Sequence, residues 1–449
     1  MSGRGLRRDE FLATAAGAAS LGGVAGYLLG RPDAEAAPPA SAEPAAPFRN
    51  LSDWANVRAL FELSQDVLPF ASFLLAAHPR PVRAAIAEFR AALDAEPVRF
   101  LHENERRLEA AVREAAAAYL GTSAAEVALT DSTTMGLGLV YRGLEVGPGD
   151  ELVTTEHDFY ATHEALRGAA ERTGATVRRI TLYEEPEEAS VEGIVGAITA
   201  ALGPRTRCLA LTWVHSSTGV KLPLREIAAV VRDANRGRPE RDRVFLSVDG
   251  VHGFGVEDAS PASLGCDVFV TGCHKWLFGP RGTGIVWAMP AAWRRLQPTI
   301  PSFDPQAYSA WLEERPPSDA SPGPLMTPGG FHSFEHRWAL AAAFSLHEAI
   351  GRERIAARTR LFARQLKEGL TAIRGVTVKT PLDERLSAGL VCCELARLSA
   401  PEAVDRLRLE HRIEASVTPY RTLYLRLGPS IVNTPAEVER LVDAVAALA

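Results

Sequence analysis

Lys275 follows a short apolar run, Val268-Phe-Val-Thr-Gly272, after one cysteine and one histidine. A glycine-rich turn, Phe278-Gly-Pro-Arg-Gly-Thr-Gly284, then leads into a second apolar run, Ile285-Val-Trp287. A lysine at a strand end faces a pocket rather than bulk solvent, where desolvation lowers the pKa of its amine and makes the nitrogen nucleophilic toward a carbonyl. Upstream, Val244-Phe-Leu-Ser-Val-Asp249-Gly-Val-His252 reads as a buried strand ending in an aspartate. Open α/β sheets bind ligands at the carboxyl ends of their strands. An Asp-Gly after an apolar run is on its own most often a turn, but one strand-plus-connection before a His-Lys pair it is a more specific signal. A third segment suits an anion. Val127-Ala-Leu-Thr-Asp131 is short and apolar, and Ser132-Thr133-Thr134 opens a helical pattern. Hydroxyls there cap N–H groups, and the remaining donors and the helix dipole attract negative charge.

Together these motifs resemble the class V aminotransferase and cysteine desulfurase family of pyridoxal 5'-phosphate (PLP) enzymes. His274-Lys-Trp-Leu followed by Pro280-Arg-Gly is most similar to the isopenicillin N epimerase-like branch. The likeness spans roughly residues 70 to 445 and includes His78-Pro-Arg-Pro-Val-Arg83 and Glu96-Pro-Val-Arg-Phe100. It implies that Lys275 holds the cofactor as a Schiff base and that Asp249 pairs with the pyridine nitrogen, which makes the ring an electron sink. It places His252 near the ring hydroxyl, and Thr133, Thr134 and His274 on the phosphate. His157, in Glu151-Leu-Val-Thr-Thr-Glu-His157, would stack on the ring. Ser216 stands where desulfurases carry an asparagine near the ring hydroxyl. Arg426, in Tyr424-Leu-Arg-Leu-Gly-Pro-Ser-Ile-Val-Asn433, would grip the substrate carboxylate with its guanidinium fork.

The chain departs from the family in three places. Desulfurases carry a cysteine in a mobile loop before the arginine strand; here that stretch, Arg412–Arg421, has none, and the five cysteines are Cys208, Cys266, Cys273, Cys392 and Cys393. Cys273 adjoins the His-Lys pair, but packing is the expected role of thiols in or beside apolar runs. Gly272 stands where many relatives have a serine. Pro328–Phe334 replaces the loop that reaches across a dimer to the phosphate, with Ser333 and His332 as substitutes.

The elements that position these groups alternate. Helical patterns are expected at 80–95, 103–120, 222–235, 336–350 and 352–374, and strands at 127–130, 151–154, 207–214, 244–248 and 267–271. Such alternation indicates an α/β fold with a largely parallel sheet flanked by helices. The resemblance makes this PLP-dependent transferase fold type I, with a smaller α+β C-terminal domain whose strands include 389–394 and 423–427. The expected divisions are an N-terminal arm with helices (50–105), a large PLP-binding domain (106–335) and a small C-terminal domain (336–449).

The N-terminus reads differently. Arg7 and Arg8 precede an Ala/Gly/Leu stretch and a small-residue cleavage site at Ala34-Glu-Ala36. This is the layout of an export signal of twin-arginine type over residues 1–36, joined by a Pro/Ala linker (37–49). An exported protein is expected, with membrane association only through the signal if it is uncleaved. A net charge of −6 with mixed signs argues against a nucleic-acid partner, and there is no His/Cys cluster of metal spacing. The resemblance implies a homodimer acting on a small amino-acid or peptide substrate. The reaction would take place at the α-carbon, with Lys275 as general base. Epimerisation is the leading outcome; a cysteine desulfurase or lyase, an aminotransferase, or a non-catalytic PLP-fold binding protein are the alternatives.

Overall fold

A computed structural model describes residues 50–318 and 320–449; the expected export signal and the linker lie outside the described residues. A seven-stranded sheet forms from β1 (Val127–Thr130), β2 (Glu151–Thr155), β3 (Thr176–Ile180), β4 (Thr206–Thr212), β5 (Phe245–Asp249), β6 (Val268–Gly272) and β7 (Gly284–Ala288). Its order is β1-β7-β6-β5-β4-β2-β3, with β7 antiparallel to both neighbours and the rest parallel. Six of these strands are nearly wholly buried, as expected for a sheet covered on both faces.

Side chains alternate between the two faces. In β4, Leu209 and Leu211 join one core while Cys208 and Ala210 join the other; in β5, Leu246 and Val248 oppose Phe245. The first face packs helices Pro97–Leu120, Val191–Ala201, Leu224–Ala234 and Phe334–Ile350, and the second packs helices Thr133–Gly143 and Tyr160–Thr173. Only β3, at the sheet's edge, is partly exposed. There Arg178 makes two parallel bonds to Glu151 (2.9 Å each).

The C-terminal unit is a four-stranded antiparallel sheet of β8 (Val376–Val378), β9 (Val391–Leu395), β10 (Ser416–Val417) and β11 (Leu425–Leu427), in the order β10-β11-β9-β8. It is covered by helices Arg352–Thr371, Ala400–His411 and Pro435–Leu448. The N-terminal arm runs onto this unit. Leu68–Pro69 pairs in parallel with Ile413–Glu414, and Leu68 and Phe70 belong to the C-terminal core.

The expected helices are present with shifted ends. The second starts at Pro97 rather than 103 because Pro97 occupies the first turn, where its missing N–H costs nothing. Strands β3, β8 and β10 lie outside the sequence expectation, and β7 is read there only as the apolar run Ile285-Val-Trp287. The first three are short and partly exposed, so they lack the apolar run that marks a buried strand.

Candidate active site

Parallel register sets the ends of β4 and β5 level, with β6 running two residues further. Asp249 at the end of β5 pairs with Thr212 of β4 on one side and lies beside Val270 of β6 on the other. Lys275 projects just past β6, in a turn closed by the Phe278 N–H donating to the Lys275 carbonyl (3.0 Å). Phe278 holds φ 57°, a left-handed conformation unusual for a bulky residue. Its ring is pinned edge-on against Phe61 at 5.0 Å.

Lys275 Nζ lies 3.4 Å from His252 Nε2, and the Trp276 indole N–H donates to His252 Nδ1 (3.3 Å). An indole nitrogen can only donate, so Nδ1 is the acceptor and the proton of neutral His252 sits on Nε2, facing the lysine. Toward that proton the uncharged amine can accept, whereas the ammonium cannot. Burial favours the uncharged form. Burial pushes the Lys275 amine down to about 8; Asp249 opposes this and Arg426 reinforces it. Burial also drives His252 well below its usual value. Asp249 is 2% exposed, accepts from the Val251 N–H (3.0 Å), and is pushed up to about 7 by burial.

Next to this lies a cradle for an anion. Ser132 caps helix Thr133–Gly143 by accepting from the Met135 N–H (3.1 Å), leaving first-turn donors without intrahelical partners. A Cβ added at Gly272 would come within 3.0 Å of both Thr133 Oγ1 and the His274 ring. Glycine there thus lets a hydroxyl and an imidazole approach one point. His274 Nδ1 is buried with no hydrogen-bond partner. Thr134 is exposed at the same helix end. Arg337 steadies the segment by pairing with Asp131 (3.1 Å) and Glu109 (3.2 Å).

The third group crosses to the C-terminal unit. Arg426 of β11 is 3% exposed. Its Nη1 donates to the Ser216 carbonyl (3.1 Å), its Nε donates to Ser416 Oγ (3.0 Å), and its guanidinium carbon lies 4.8 Å from the Phe73 ring centre. Among the described residues it forms no ion pair with a carboxylate. A buried guanidinium without a counter-anion is costly, and a substrate carboxylate would relieve that cost. Ser216 Oγ and Tyr420 Oη are 2.7 Å apart.

His157 occupies a different setting from the rest of the sequence-derived set. Its ring stacks on Tyr183 (3.9 Å, 16°), its Nε2 accepts from the Leu182 N–H (3.1 Å), and it lies 5.4 Å from His215. Burial, with His215, pushes it down to about 3, so it is neutral. Within this chain His332 lies 3.8 Å from Glu109 and packs on Phe334, while the Ser333 carbonyl starts helix Phe334–Ile350. Cys273 is fully buried, its N–H donating to Thr283 and its carbonyl accepting from Gly279, and all five cysteines are buried and unpaired.

Sequence reasoning missed Asp158, Tyr183 and Tyr420. The buried Asp158 carboxylate accepts from Thr154 Oγ1, Thr155 N and Thr155 Oγ1, and from Thr212 N (2.6 Å), so it ties the ends of β2 and β4 together. A carboxylate just past a predicted strand was a usable signal for it. The two tyrosines lie on connections with no periodic pattern.

The cofactor expected from the sequence fits this donor set. A buried carboxylate awaits a cationic partner, a desolvated lysine stands just past the adjacent strand, and the free Nδ1 of His274 and a helix N-terminus share one anion cradle. The family model described as Aminotransferase class-V matches residues 76–417. The chain belongs to the class V aminotransferase family. It is 28% identical to the isopenicillin N epimerase of Streptomyces clavuligerus over 416 residues, 89% of this chain and 99% of that protein. It is 32% identical to a cysteine desulfurase of Klebsiella pneumoniae subsp. pneumoniae over 218 residues, 47% of this chain and 50% of the relative. Its fold is shared with a C-DES variant solved with glycine covalently linked to its PLP cofactor, at a TM-score of 0.77 and 22% identity, covering 87% of this chain and 98% of the other. That fold is the three-layer α/β arrangement with a smaller C-terminal unit anticipated from the sequence.

Proposed function

We propose that this class V family enzyme uses pyridoxal 5'-phosphate to invert configuration at the α-carbon of an amino acid or an amino-acid-bearing peptide. The observation that carries this reading is the buried Lys275 amine, pushed down to about 8 and set against His252 beside the end of the Asp249 strand. When bound, the cofactor would supply a carbonyl for an amine and a sink for electron density from the α-carbon. Lys275 supplies the nucleophilic nitrogen and then takes the α-proton, a role suited to an amine whose pKa lies near neutrality. His252 orients that nitrogen. Asp249 keeps the pyridine nitrogen protonated, which in turn relieves its own unpaired burial. Thr133, Thr134 and His274 hold the phosphate, Ser216 lies near the ring hydroxyl, and His157 covers the ring with its free face. Arg426 binds the substrate carboxylate.

Full-length coverage of an isopenicillin N epimerase supports inversion over the other outcomes. The desulfurase alternative lacks an exposed thiol, since every cysteine is buried and burial pushes the Cys273 thiol up, away from thiolate. Purified protein should show an absorption band near the visible edge that shifts on adding an amino acid, and borohydride should fix the cofactor on Lys275. Labelling of another lysine, with Lys275 unmodified, would refute the assignment.

A further inference from the structure

Inversion requires a proton to leave the α-carbon from one face and another to arrive at the opposite face. Lys275, fixed in a closed turn against His252, serves one of these faces. The other needs a second proton-bearing group. Tyr420 comes from the C-terminal unit, on the connection between β10 and β11. Its hydroxyl meets Ser216 Oγ at 2.7 Å and its ring packs edge-on to Phe159 at 6.0 Å, just past His157. Through the Ser216 carbonyl, the same residue is tied to Arg426. In sheet order, Lys275 follows β6, Asp249 ends β5 and Ser216 follows β4. The Lys275 turn and the Ser216 connection, to which the Tyr420 hydroxyl is bonded, therefore lie on opposite flanks of the Asp249 strand.

We propose that Tyr420 is the proton donor for the face of the α-carbon that Lys275 does not serve. This rests on the α-carbon chemistry proposed above. The Cα–H bond breaks toward Lys275 Nζ, which becomes an ammonium, and the electron pair stays with the substrate and its bound cofactor. The Cα–H bond re-forms with the proton of Tyr420 Oη. The phenolate so formed regains a proton from solvent through Ser216 Oγ, and the ammonium returns its own to solvent. In the reverse direction the two roles exchange. Burial supports this division of labour: it raises the Tyr420 phenol, which stays protonated at neutral pH, while it lowers the Lys275 amine. Two groups pushed apart in this way form a donor and an acceptor at one pH.

The test is proton exchange at the α-carbon in deuterium oxide, followed by NMR for the D- and L-forms of alanine and of α-aminobutyrate, each taken separately. The parent holoenzyme should exchange both enantiomers of at least one pair. Tyr420→Phe keeps the ring against Phe159. It should retain borohydride labelling of Lys275 and the spectral response to both enantiomers, yet lose exchange of one enantiomer at least about 100-fold relative to the other, as for a positioned proton-transfer group. Ser216→Ala should show the same asymmetry more weakly. Equal slowing of both enantiomers, or no slowing of either, overturns the role of Tyr420 and leaves the α-carbon chemistry standing. A parent that exchanges none of the four overturns both.

Discussion

Two parts of the site are built in opposite ways. The Asp249–His252–Lys275 cluster stands on the ends of adjacent parallel strands, and its bonds are short-range: Val251 to Asp249, Trp276 to His252, His252 to Lys275. The Ser216–Arg426–Tyr420 cluster joins the large sheet to the C-terminal unit through bonds between residues more than 200 positions apart. Its outer wall, Phe73, comes from the N-terminal arm. The attacking amine and the carboxylate for the ring nitrogen are thus fixed by one sheet whose register allows little adjustment. Arg426, for the substrate carboxylate, and Tyr420, the proposed second proton donor, sit on a seam between two packed units. The rigid centre thus works with a seam that carries both substrate recognition and the proton for the second face.

The contrast makes separate predictions for the two clusters. The largest effect belongs to the sheet. Asp249→Ala should cut α-proton exchange by about 100-fold or more, in line with loss of a group essential to proton transfer, with the fold and the Lys275 labelling retained. An unchanged rate would show that another residue holds the ring nitrogen. Arg426→Ala, on the seam, should act on binding instead. Loss of a charge-assisted fork costs about 1.5–3 kcal/mol, so the amino-acid concentration for half of the spectral change should rise about 10- to 100-fold. The exchange rate at saturation should change far less. A drop in saturated rate without weaker binding would place Arg426 in the chemistry and erase the distinction between the clusters.

The same contrast explains what the sequence made visible. Asp249, His252, His274 and Lys275 are legible because each ends or follows an apolar run, and the helix start at Ser132 carries its own capping signature. Arg426 was found only through resemblance, because an arginine in a short strand has no local mark of function. Tyr420 stands in the stretch where desulfurases carry their loop cysteine, and nothing in Thr418-Pro-Tyr420 announces a partner at Ser216. Tyr183 follows β3, itself hidden by its exposed edge position, so the residue that backs His157 went unseen with it. Groups that meet through the sheet's register can be read from local pattern; those that meet through domain packing cannot.

The smallest predicted effect tests whether the two clusters feel each other at all. The Lys275 amine is pushed down from 10.5 to about 8, chiefly by burial, with Asp249 raising it and Arg426 lowering it. In cofactor-free protein, its reaction with free pyridoxal, trapped by borohydride, depends on the uncharged fraction. It should therefore rise with pH through a midpoint near 8. Removing the carboxylate in Asp249→Asn takes away a charge that favours the ammonium, so the midpoint should move down. Arg426→Ala removes a like charge from across the seam, so the midpoint should move up. Stability follows the same sign. Between about 8 and 10.5 the unfolded chain binds a proton at this lysine that the folded chain does not, so this residue makes stability rise with pH in that window. Lys275→Met should remove that rise. A midpoint near 10.5 would mean that the amine is not desolvated, and no response to Arg426→Ala would mean that the seam leaves the chemistry electrostatically untouched.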